Sequence, residues 1–126
     1  MLCLTLIFSG ILSQQTNGEE KYTEADYIKA AAKTYVGAKT EVRMPNGTIA
    51  DIITPDLAIE VEFAPKWAES IGQALSYAHT TGKEPCVLLL LREPKDTRFV
   101  RRILPVAKRV NVTVLIYHVT EVIDGP

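Results

Sequence analysis

The sequence IADIITPDLAIEVEF, residues 49–63, decides the fold of this chain. Its two halves alternate apolar and polar side chains, which is typical of half-buried strands, and Pro55-Asp56 between them is a turn signal. If these two turn residues form the whole loop, Asp51 lies opposite Glu60 on the neighbouring strand. The segment therefore predicts an antiparallel hairpin that brings two carboxylates together.

A second acid, Glu62, lies on the same strand face as Glu60, while Ile59, Val61 and Phe63 point to the core. Directly opposed residues have Cβ atoms about 4.5–5.5 Å apart, and like charges at that distance repel each other. A divalent cation that prefers oxygen ligands, Mg²⁺ or Mn²⁺, relieves the repulsion. The alternative is a solvated acidic face, but acids are poor strand formers, which favours the metal site.

Cap, turn and periodicity signals predict the other elements. Thr23 and Asp26 form a capping box, Asn46-Gly47 is a hairpin signal, and Gly82 stands where a helix would end. The predicted helices cover residues 23–36, 65–81 and a segment that starts at Asp96 and that Pro105 ends or kinks. The predicted strands cover residues 41–44, 49–54, 57–63, 87–91 and 112–119. The result is an α/β domain with the order α-β-β-β-α-β-α-β.

Composition and charge are those of an ordinary globular domain. The chain has 126 residues, 47% hydrophobic content and a formal net charge of −1, so charge alone does not indicate a protein that coats nucleic acid. Seven basic residues cluster over 92–109, whereas residues 41–69 are acidic. This asymmetry suits a metal site beside a phosphate track, but charge alone favours the alternative of two solvated faces.

The amino-terminal segment has the pattern of a secretory signal. Residues 1–18 contain no charged side chain, and residues 2–12 form an apolar run too short for a bilayer, which takes about 20 residues. We therefore predict a signal peptide over 1–18, a single domain over 19–126, an exported protein and no stable membrane insertion. The alternatives are an additional buried strand or a different start, with a cytoplasmic protein.

Three side chains of the second predicted helix share one polar face, because Lys66, Gln73 and Tyr77 are spaced i, i+7 and i+11. A lysine, an amide and a phenol together can bind a phosphate backbone or orient a water molecule. The same spacing also occurs at the edge of any ordinary amphipathic helix. The stripe by itself leaves both interpretations open.

Together these residues resemble the PD-(D/E)xK nuclease superfamily, which includes archaeal Holliday junction resolvases, RecB-type nucleases and many restriction enzymes. Asp51 on the second strand, Glu60-Val61-Glu62 on the third and the QxxxY pattern of residues 73–77 carry the resemblance. Residues 58–67 and 71–75 are further similar to a group of small, largely uncharacterised bacterial proteins that often carry an export signal. The resemblance implies a restriction-endonuclease-like α-β-β-β-α-β core with a mixed central sheet flanked by helices, plus a further helix and strand.

The resemblance also implies a hydrolase that uses Mg²⁺ or Mn²⁺. Asp51 and Glu60 would be metal ligands. Glu62 stands in the usual lysine position, where a few restriction enzymes similarly have glutamate, and would be a ligand or general base. Lys66 would supply the missing positive charge. Gln73 and Tyr77 would face nucleic acid, and the basic cluster over 92–109 adds Arg98, Arg101 and Arg102 as expected contacts that guide the substrate strand.

Glu41 is a further candidate ligand, since some members of the superfamily use an earlier glutamate. A two-residue Asn46-Gly47 turn pairs Val42, not Glu41, with Asp51, and a bulge reverses this. We expect DNA rather than RNA as partner, and a homodimer is allowed. The alternative functions are a catalytically inactive nuclease-fold module that binds nucleic acid and a protein-interaction domain without a nucleic-acid role.

Overall fold

The computed structural model describes residues 3–6 and 22–119, which form an α/β fold. The strands of its one mixed sheet are β1 (Cys3–Leu6), β2 (Lys39–Arg43), β3 (Ile49–Ile53), β4 (Leu57–Phe63), β5 (Glu84–Leu91) and β6 (Thr113–His118). The α-helices are α1 (Glu24–Ala32), α2 (Trp67–Thr81) and α3 (Thr97–Arg109). From α1 onwards the predicted order of helices and strands is confirmed.

The sheet has the order β1-β6-β5-β4-β3-β2. Strands β1, β6, β5 and β4 run parallel, whereas β4, β3 and β2 form an antiparallel meander. Strand β5 is buried along residues 86–91, as expected of a parallel strand covered on both faces. The parallel half therefore forms the centre of the core, and the antiparallel half lies towards one edge.

The helices cover opposite faces of the sheet. Helix α1 packs on the face that carries Ile59 and Val61, and α2 and α3 pack on the face that carries Val87 and Leu89. The predicted capping box begins α1: the Thr23 hydroxyl accepts from the Asp26 amide while the Asp26 carboxylate accepts from the Thr23 amide. The sheet, including the acidic residues of β3 and β4, consequently lies between α1 on one face and α2 and α3 on the other.

Two helix boundaries differ from those predicted. Helix α1 ends at Ala32, and hydrogen-bonded turns continue the chain to Gly37, whose φ of 74° only glycine adopts readily. Helix α3 continues through Pro105 to Arg109. Pro105 is exposed, so water can satisfy the carbonyl that its missing amide leaves without a partner.

Asp96 also has a different role from the helix cap that was predicted. Its side chain makes no cap hydrogen bond to α3. It accepts instead from the backbone amides of Arg92 and Glu93, at 2.9 and 3.1 Å. Asp96 therefore stabilises the turn between β5 and α3, because its buried carboxylate accepts charge-assisted hydrogen bonds from the two backbone amides of that turn.

The register between β2 and β3 also differs from the simplest prediction. Thr40 pairs with Ile52 and Val42 with Ala50, so Glu41, not Val42, lies opposite Asp51. The loop has three residues, 45–47, closed by a hydrogen bond of 2.7 Å from the Met44 amide to the Thr48 carbonyl oxygen. Three-residue hairpin loops have a left-handed residue in third position, here Gly47. Compared with the predicted two-residue loop, the additional loop residue shifts the pairing of β2 with β3 by one position.

Part of the predicted signal peptide lies in the sheet. Strand β1 pairs in parallel with β6 in the register Cys3 to Val114, which matches the alternative of an additional strand. The rest of residues 1–18 lies outside the described residues, and export remains a prediction. Among residues 3–6 and 22–119, no helix combines the length and apolar character needed to cross a bilayer.

Candidate active site

The hairpin of β3 and β4 forms the centre of the site. Ile53 pairs with Ala58 and Ile52 with Ile59, as predicted, so the continued register sets Asp51 opposite Glu60. The Val61 amide donates to Oδ2 of Asp51 at 2.8 Å, and the Asp51 and Glu60 carboxyl groups are hydrogen bonded to each other. The backbone of β4 thus fixes one carboxylate directly against the other.

Both acids of β4 are buried. Only 3% of Glu60 and 6% of Glu62 is exposed, which excludes the solvated acidic face as an interpretation of this strand. Burial, together with the negative charge of Asp51, raises the pKa of Glu60 to about 10. Burial also raises the pKa of Asp51, although the Val61 amide opposes this. At neutral pH the two carboxyl groups therefore share one proton, which neutralises part of their charge as a bound cation would.

Helix α2 contributes a second set of contacts to Glu60. With its amide nitrogen towards the carboxylate, Gln73 donates to both oxygens of Glu60, at 3.3 Å to Oε2 and at hydrogen-bonding distance to Oε1. The Tyr77 hydroxyl lies 3.4 Å from the same amide, and its interaction with Glu60 lowers the pKa of that carboxyl group. Gln73 and Tyr77 therefore orient the carboxylate, as one glutamine and one tyrosine a helical turn apart can do.

Tyr77 does not lie on an exposed polar face as the helical spacing suggested. Its ring is 5% exposed and packs with Met44, Ala50 and Ala58, while Gln73 and Lys66 on the same helix side are exposed. The small side chains of Ala50 and Ala58 leave space for the ring beneath the antiparallel half of the sheet. Only the hydroxyl of Tyr77 is directed to the site, where it acts on Glu60, and its contact with nucleic acid stays a prediction.

Glu62 forms a second pair of carboxyl groups with Glu24, the first residue of α1. The two side chains are hydrogen bonded, and Oε1 of Glu62 accepts from the Phe63 amide at 2.9 Å. Burial raises the pKa of Glu62 to about 7, the Phe63 amide opposes this, and the charge of Glu24 adds to it. The pKa of Glu24 is raised by burial and then by Asp51, so the two pairs interact.

Glu24 was not among the candidates predicted from the sequence. The only local signal was an acid in the first turn of a helix, and such acids usually interact with the helix dipole. Packing of α1 against β4 brings Glu24 to the site, and no spacing along the chain indicates it.

Two cations act on these carboxyl groups. Lys66 is exposed, and its charge lowers the pKa of Glu62 and of Glu24. Arg92, which follows β5, stacks on Phe63 with its Cζ atom 3.4 Å from the ring centroid.

The three arginines of α3 that were predicted to contact nucleic acid are exposed. Two of them contact an aromatic ring of the same helix: the Cζ atoms of Arg98 and Arg102 lie 4.6 and 5.4 Å from the Phe99 ring centroid.

The four predicted metal ligands, Asp51, Glu60, Glu62 and Glu41, are not assembled as one cage. In the part of the chain that the structure describes, no group of three or more His, Cys, Asp or Glu side chains is arranged to hold a metal ion. Glu41 is exposed at a φ of 51°, and its charge contributes last to raising the pKa of Asp51, after burial and the charge of Glu62. Mg²⁺ commonly binds one or two carboxylates plus waters and phosphate oxygens, so the pair Asp51 and Glu60 fits such an ion.

No protein-family model, curated protein or solved structure matches the chain. The similarity to PD-(D/E)xK nucleases thus remains one of motifs and element order. The residues themselves define the site as two interacting pairs of carboxyl groups, each with one buried member on β4, Glu60 or Glu62, and one half-buried member, Asp51 or Glu24. An amide and a phenol of α2 lie on one side, and the charges of Lys66 and Arg92 act on the second pair.

Proposed function

We propose that the protein is a metal-dependent nuclease with a restriction-endonuclease-like core of the PD-(D/E)xK type. The observation that carries the proposal is the pair of the buried Glu60 and the half-buried Asp51, whose carboxyl groups are oriented by Gln73 and by the Val61 amide. Two carboxyl groups in contact destabilise a fold when one of them is buried, unless a proton or cation neutralises them. Such an arrangement is typical of functional sites.

Asp51 and Glu60 are the residues that would hold Mg²⁺ or Mn²⁺. When bound, such an ion supplies positive charge and polarises a phosphoryl oxygen. Both carboxylates offer the hard oxygen ligands that these ions prefer, and a bound cation would favour the ionised form of Glu60, whose pKa burial and the charge of Asp51 raise to about 10. Gln73 and Tyr77 keep Glu60 oriented towards Asp51.

Glu62 is the general base in this proposal. Its pKa of about 7 is close to the operating pH, where a carboxylate both exists in ionised form and accepts a proton well. Glu62 takes a proton from the attacking water as the water oxygen bonds to phosphorus. The bond from phosphorus to the leaving oxygen breaks, and that oxygen takes a proton from solvent. Lys66 lies at the rim, where its positive charge offsets the charge on the phosphoryl oxygens.

Cleavage assays on the full chain test the proposal. Labelled single- and double-stranded DNA and RNA would be incubated with Mg²⁺, with Mn²⁺ or with EDTA. We expect metal-dependent cleavage that falls by at least about 100-fold in Asp51→Asn and Glu60→Gln. Glu69→Gln, which changes an exposed acid of α2, is the matched control and should cleave normally. Undiminished cleavage by both site variants would show that the catalytic centre lies elsewhere.

One observation favours a second function, that of an inactive nuclease-fold module that binds nucleic acid. Glu62 occupies the position where the superfamily has lysine, and it pairs with another acid, Glu24. A site without a buried cation can have lost its chemistry while the fold remains. This alternative predicts nucleic-acid affinity that neither metal nor Asp51→Asn changes, and no cleavage by the folded protein with any metal.

A further inference from the structure

The outer face of α3 carries a concentration of positive charge. The helix contains neither Asp nor Glu, whereas the whole chain has a formal net charge of −1. Its basic side chains are all exposed and form the set that we call the basic row: Arg98, Arg101, Arg102, Lys108 and Arg109. Composition alone does not explain such a set, because the chain as a whole has as many acids as an ordinary globular domain.

No acidic side chain neutralises the basic row within residues 3–6 and 22–119. None of its members forms an ion pair or a side-chain hydrogen bond with another residue of these ranges. Arg98 and Arg102 stack on Phe99, which orients their guanidinium groups but leaves the charge in place. Like charges three and four residues apart on a helix repel each other, and a bound polyanion removes that repulsion.

The basic row extends along the whole helix. Its members are separated by intervals that keep them on one side of α3, while Phe99, Ile103 and Ala107 point to the core. With a rise of about 1.5 Å per residue, Arg98 and Arg109 are about 16 Å apart along the helix axis. Successive phosphates of one B-form strand advance by about 3.4 Å, so the row is as long as about five nucleotides.

Helix α3 begins at the edge of the sheet where β4 ends. Phe63 pairs with Leu90 near the end of β5, and residues 92–96 connect β5 to α3. The helix packs against the segment Ala64–Lys66, which directly follows β4, and Phe99 shares an apolar cluster with Ala64. Because β6 runs parallel to β5, α3 must return to the opposite edge before β6 starts. The basic row therefore leads away from the edge at which the acids of β4 lie.

Two features of this face favour a nucleic-acid backbone over an anionic membrane as its partner. Four of the five basic side chains are arginines, whose planar guanidinium groups bind phosphate oxygens through two parallel hydrogen bonds. A helix that lies in a membrane interface inserts large apolar side chains, but Phe99 and Ile103 are buried in the core. The apolar side chains that α3 and its carboxyl-terminal cap expose are the smaller Val106 and Val110.

We propose that the outer face of α3 binds the phosphate backbone of one DNA strand over about five nucleotides, leading away from the carboxyl site. The inference rests on the proposed function for the nature of the ligand. It deepens that function, since it makes the substrate a chain of several nucleotides and not a mono- or dinucleotide. The sequence indicated Arg98, Arg101 and Arg102 as guides for the strand; the structure adds the far end of the row and its direction.

Fluorescence anisotropy tests the proposal on the full chain. The probe is a fluorescein-labelled oligothymidine strand of about 16 nucleotides, titrated in EDTA at several salt concentrations so that metal-dependent cleavage does not consume it. The double variant Arg101→Gln/Lys108→Gln removes two charges of the row that stack on no aromatic ring. The matched control, Lys29→Gln/Lys33→Gln, removes two exposed charges at α1, on the opposite face of the sheet.

We expect the α3 variant to bind the strand at least about 10-fold more weakly, as for lost charge-assisted hydrogen bonds. The slope of log K against log salt should become smaller by about 1.4, because two phosphate contacts of a single strand are lost. The α1 variant should keep the slope and should bind within about twofold of wild type. Arg101→Lys keeps the charge and should keep the slope while losing part of the affinity. A labelled thymidine dinucleotide, which cannot follow the row, should bind at least about 10-fold more weakly than the long strand.

Cleavage of the same strand with Mg²⁺ separates this inference from the nuclease proposal. The α3 variant should need a higher strand concentration for half-maximal rate but should reach the wild-type maximal rate, because its carboxyl groups are unchanged. If the α3 variant loses affinity and slope as expected while the wild type cleaves nothing with any metal, the inference stands and the nuclease proposal fails. If the wild type cleaves and the α3 variant matches it in affinity, slope and half-saturating concentration, the inference is overturned and the nuclease proposal stands.

Two further outcomes overturn the inference. Equal losses in the α3 and α1 variants would mean that binding follows net charge and not this face. Binding to vesicles of phosphatidylcholine and phosphatidylserine in equal parts, without binding to the strand, would assign the face to a membrane surface. Thermal unfolding of each variant verifies the fold. Should the double variant unfold, Arg101→Gln alone repeats the test with an expected change in slope of about 0.7.

Discussion

Replacing Glu60 by glutamine should stabilise the protein in the absence of metal, although it removes a central residue of the site. Glu60 is 3% exposed, and burial and Asp51 raise its pKa from 4.5 to about 10. Between these values the folded chain holds a proton that the unfolded chain releases. Because the pKa is raised in the folded state, the contribution of Glu60 to stability is fully present below about pH 4.5 and is lost as pH rises towards 10. Glutamine does not titrate and therefore avoids this loss.

The magnitude follows from the pH interval. From pH 4.5 to 7.5, a proton that only the folded state holds lowers the free energy of unfolding by about 1.4 kcal/mol per unit, or about 4 kcal/mol. The glutamine amide can donate to Asp51 as the protonated carboxyl does, so most of the difference should be recovered. We expect Glu60→Gln to be more stable than wild type by about 2–4 kcal/mol at pH 7.5, an increase in Tm on the order of 10 °C. At pH 4.5 the two should be nearly equal.

Urea and thermal denaturation, followed by circular dichroism at pH 4.5, 6 and 7.5 in EDTA, measure this difference. Repeating the series with Mg²⁺ should stabilise the wild type at pH 7.5, because the ion binds only the folded state, and should leave Glu60→Gln unchanged. Glu69→Gln, at an exposed site, should show neither effect. A Glu60→Gln protein that is less stable than wild type by the same amount at every pH would refute the reasoning, since Glu60 would then be ionised and well solvated.

Three further predictions concern other parts of the molecule. The cleavage rate should rise with pH through about 7 as Glu62 ionises, and Glu62→Gln should lower it about 100- to 10,000-fold and abolish this pH dependence in a rate profile. Tyr77→Phe keeps the buried ring but loses the hydroxyl contact to Glu60, so stability should fall by only about 1 kcal/mol while the affinity for Mg²⁺, measured by calorimetry, falls about 10-fold. Gly47→Ala should destabilise the protein by about 1 kcal/mol in urea denaturation, because Gly47 has a φ of 88°, and its Cβ would meet no other atom to add a packing term.

Local signals were sufficient for most of the elements and for the centre of the site. The capping box of Thr23 and the left-handed Gly82 determine helix ends through contacts within a few residues, so they are readable from the chain. The two-residue turn at Pro55-Asp56 determines the register of β3 and β4, and with it the position of Asp51 opposite Glu60. Side-chain alternation in strands then fixes which face each acid occupies.

Other features depended on contacts between elements that are distant in sequence. Asn46-Gly47 indicated a hairpin correctly, but whether Pro45 also belongs to the loop depends on how β2 packs, and that one residue decides whether Glu41 or Val42 faces Asp51. Glu24 and Arg92 come to the site only because α1 covers β4 and because β5 runs parallel to it. Burial of Glu60 beneath Tyr77, which shifts its pKa, arises in the same way. Desolvation and the distances between charges are properties of the packed core, which alternation and turn signals along the chain do not specify.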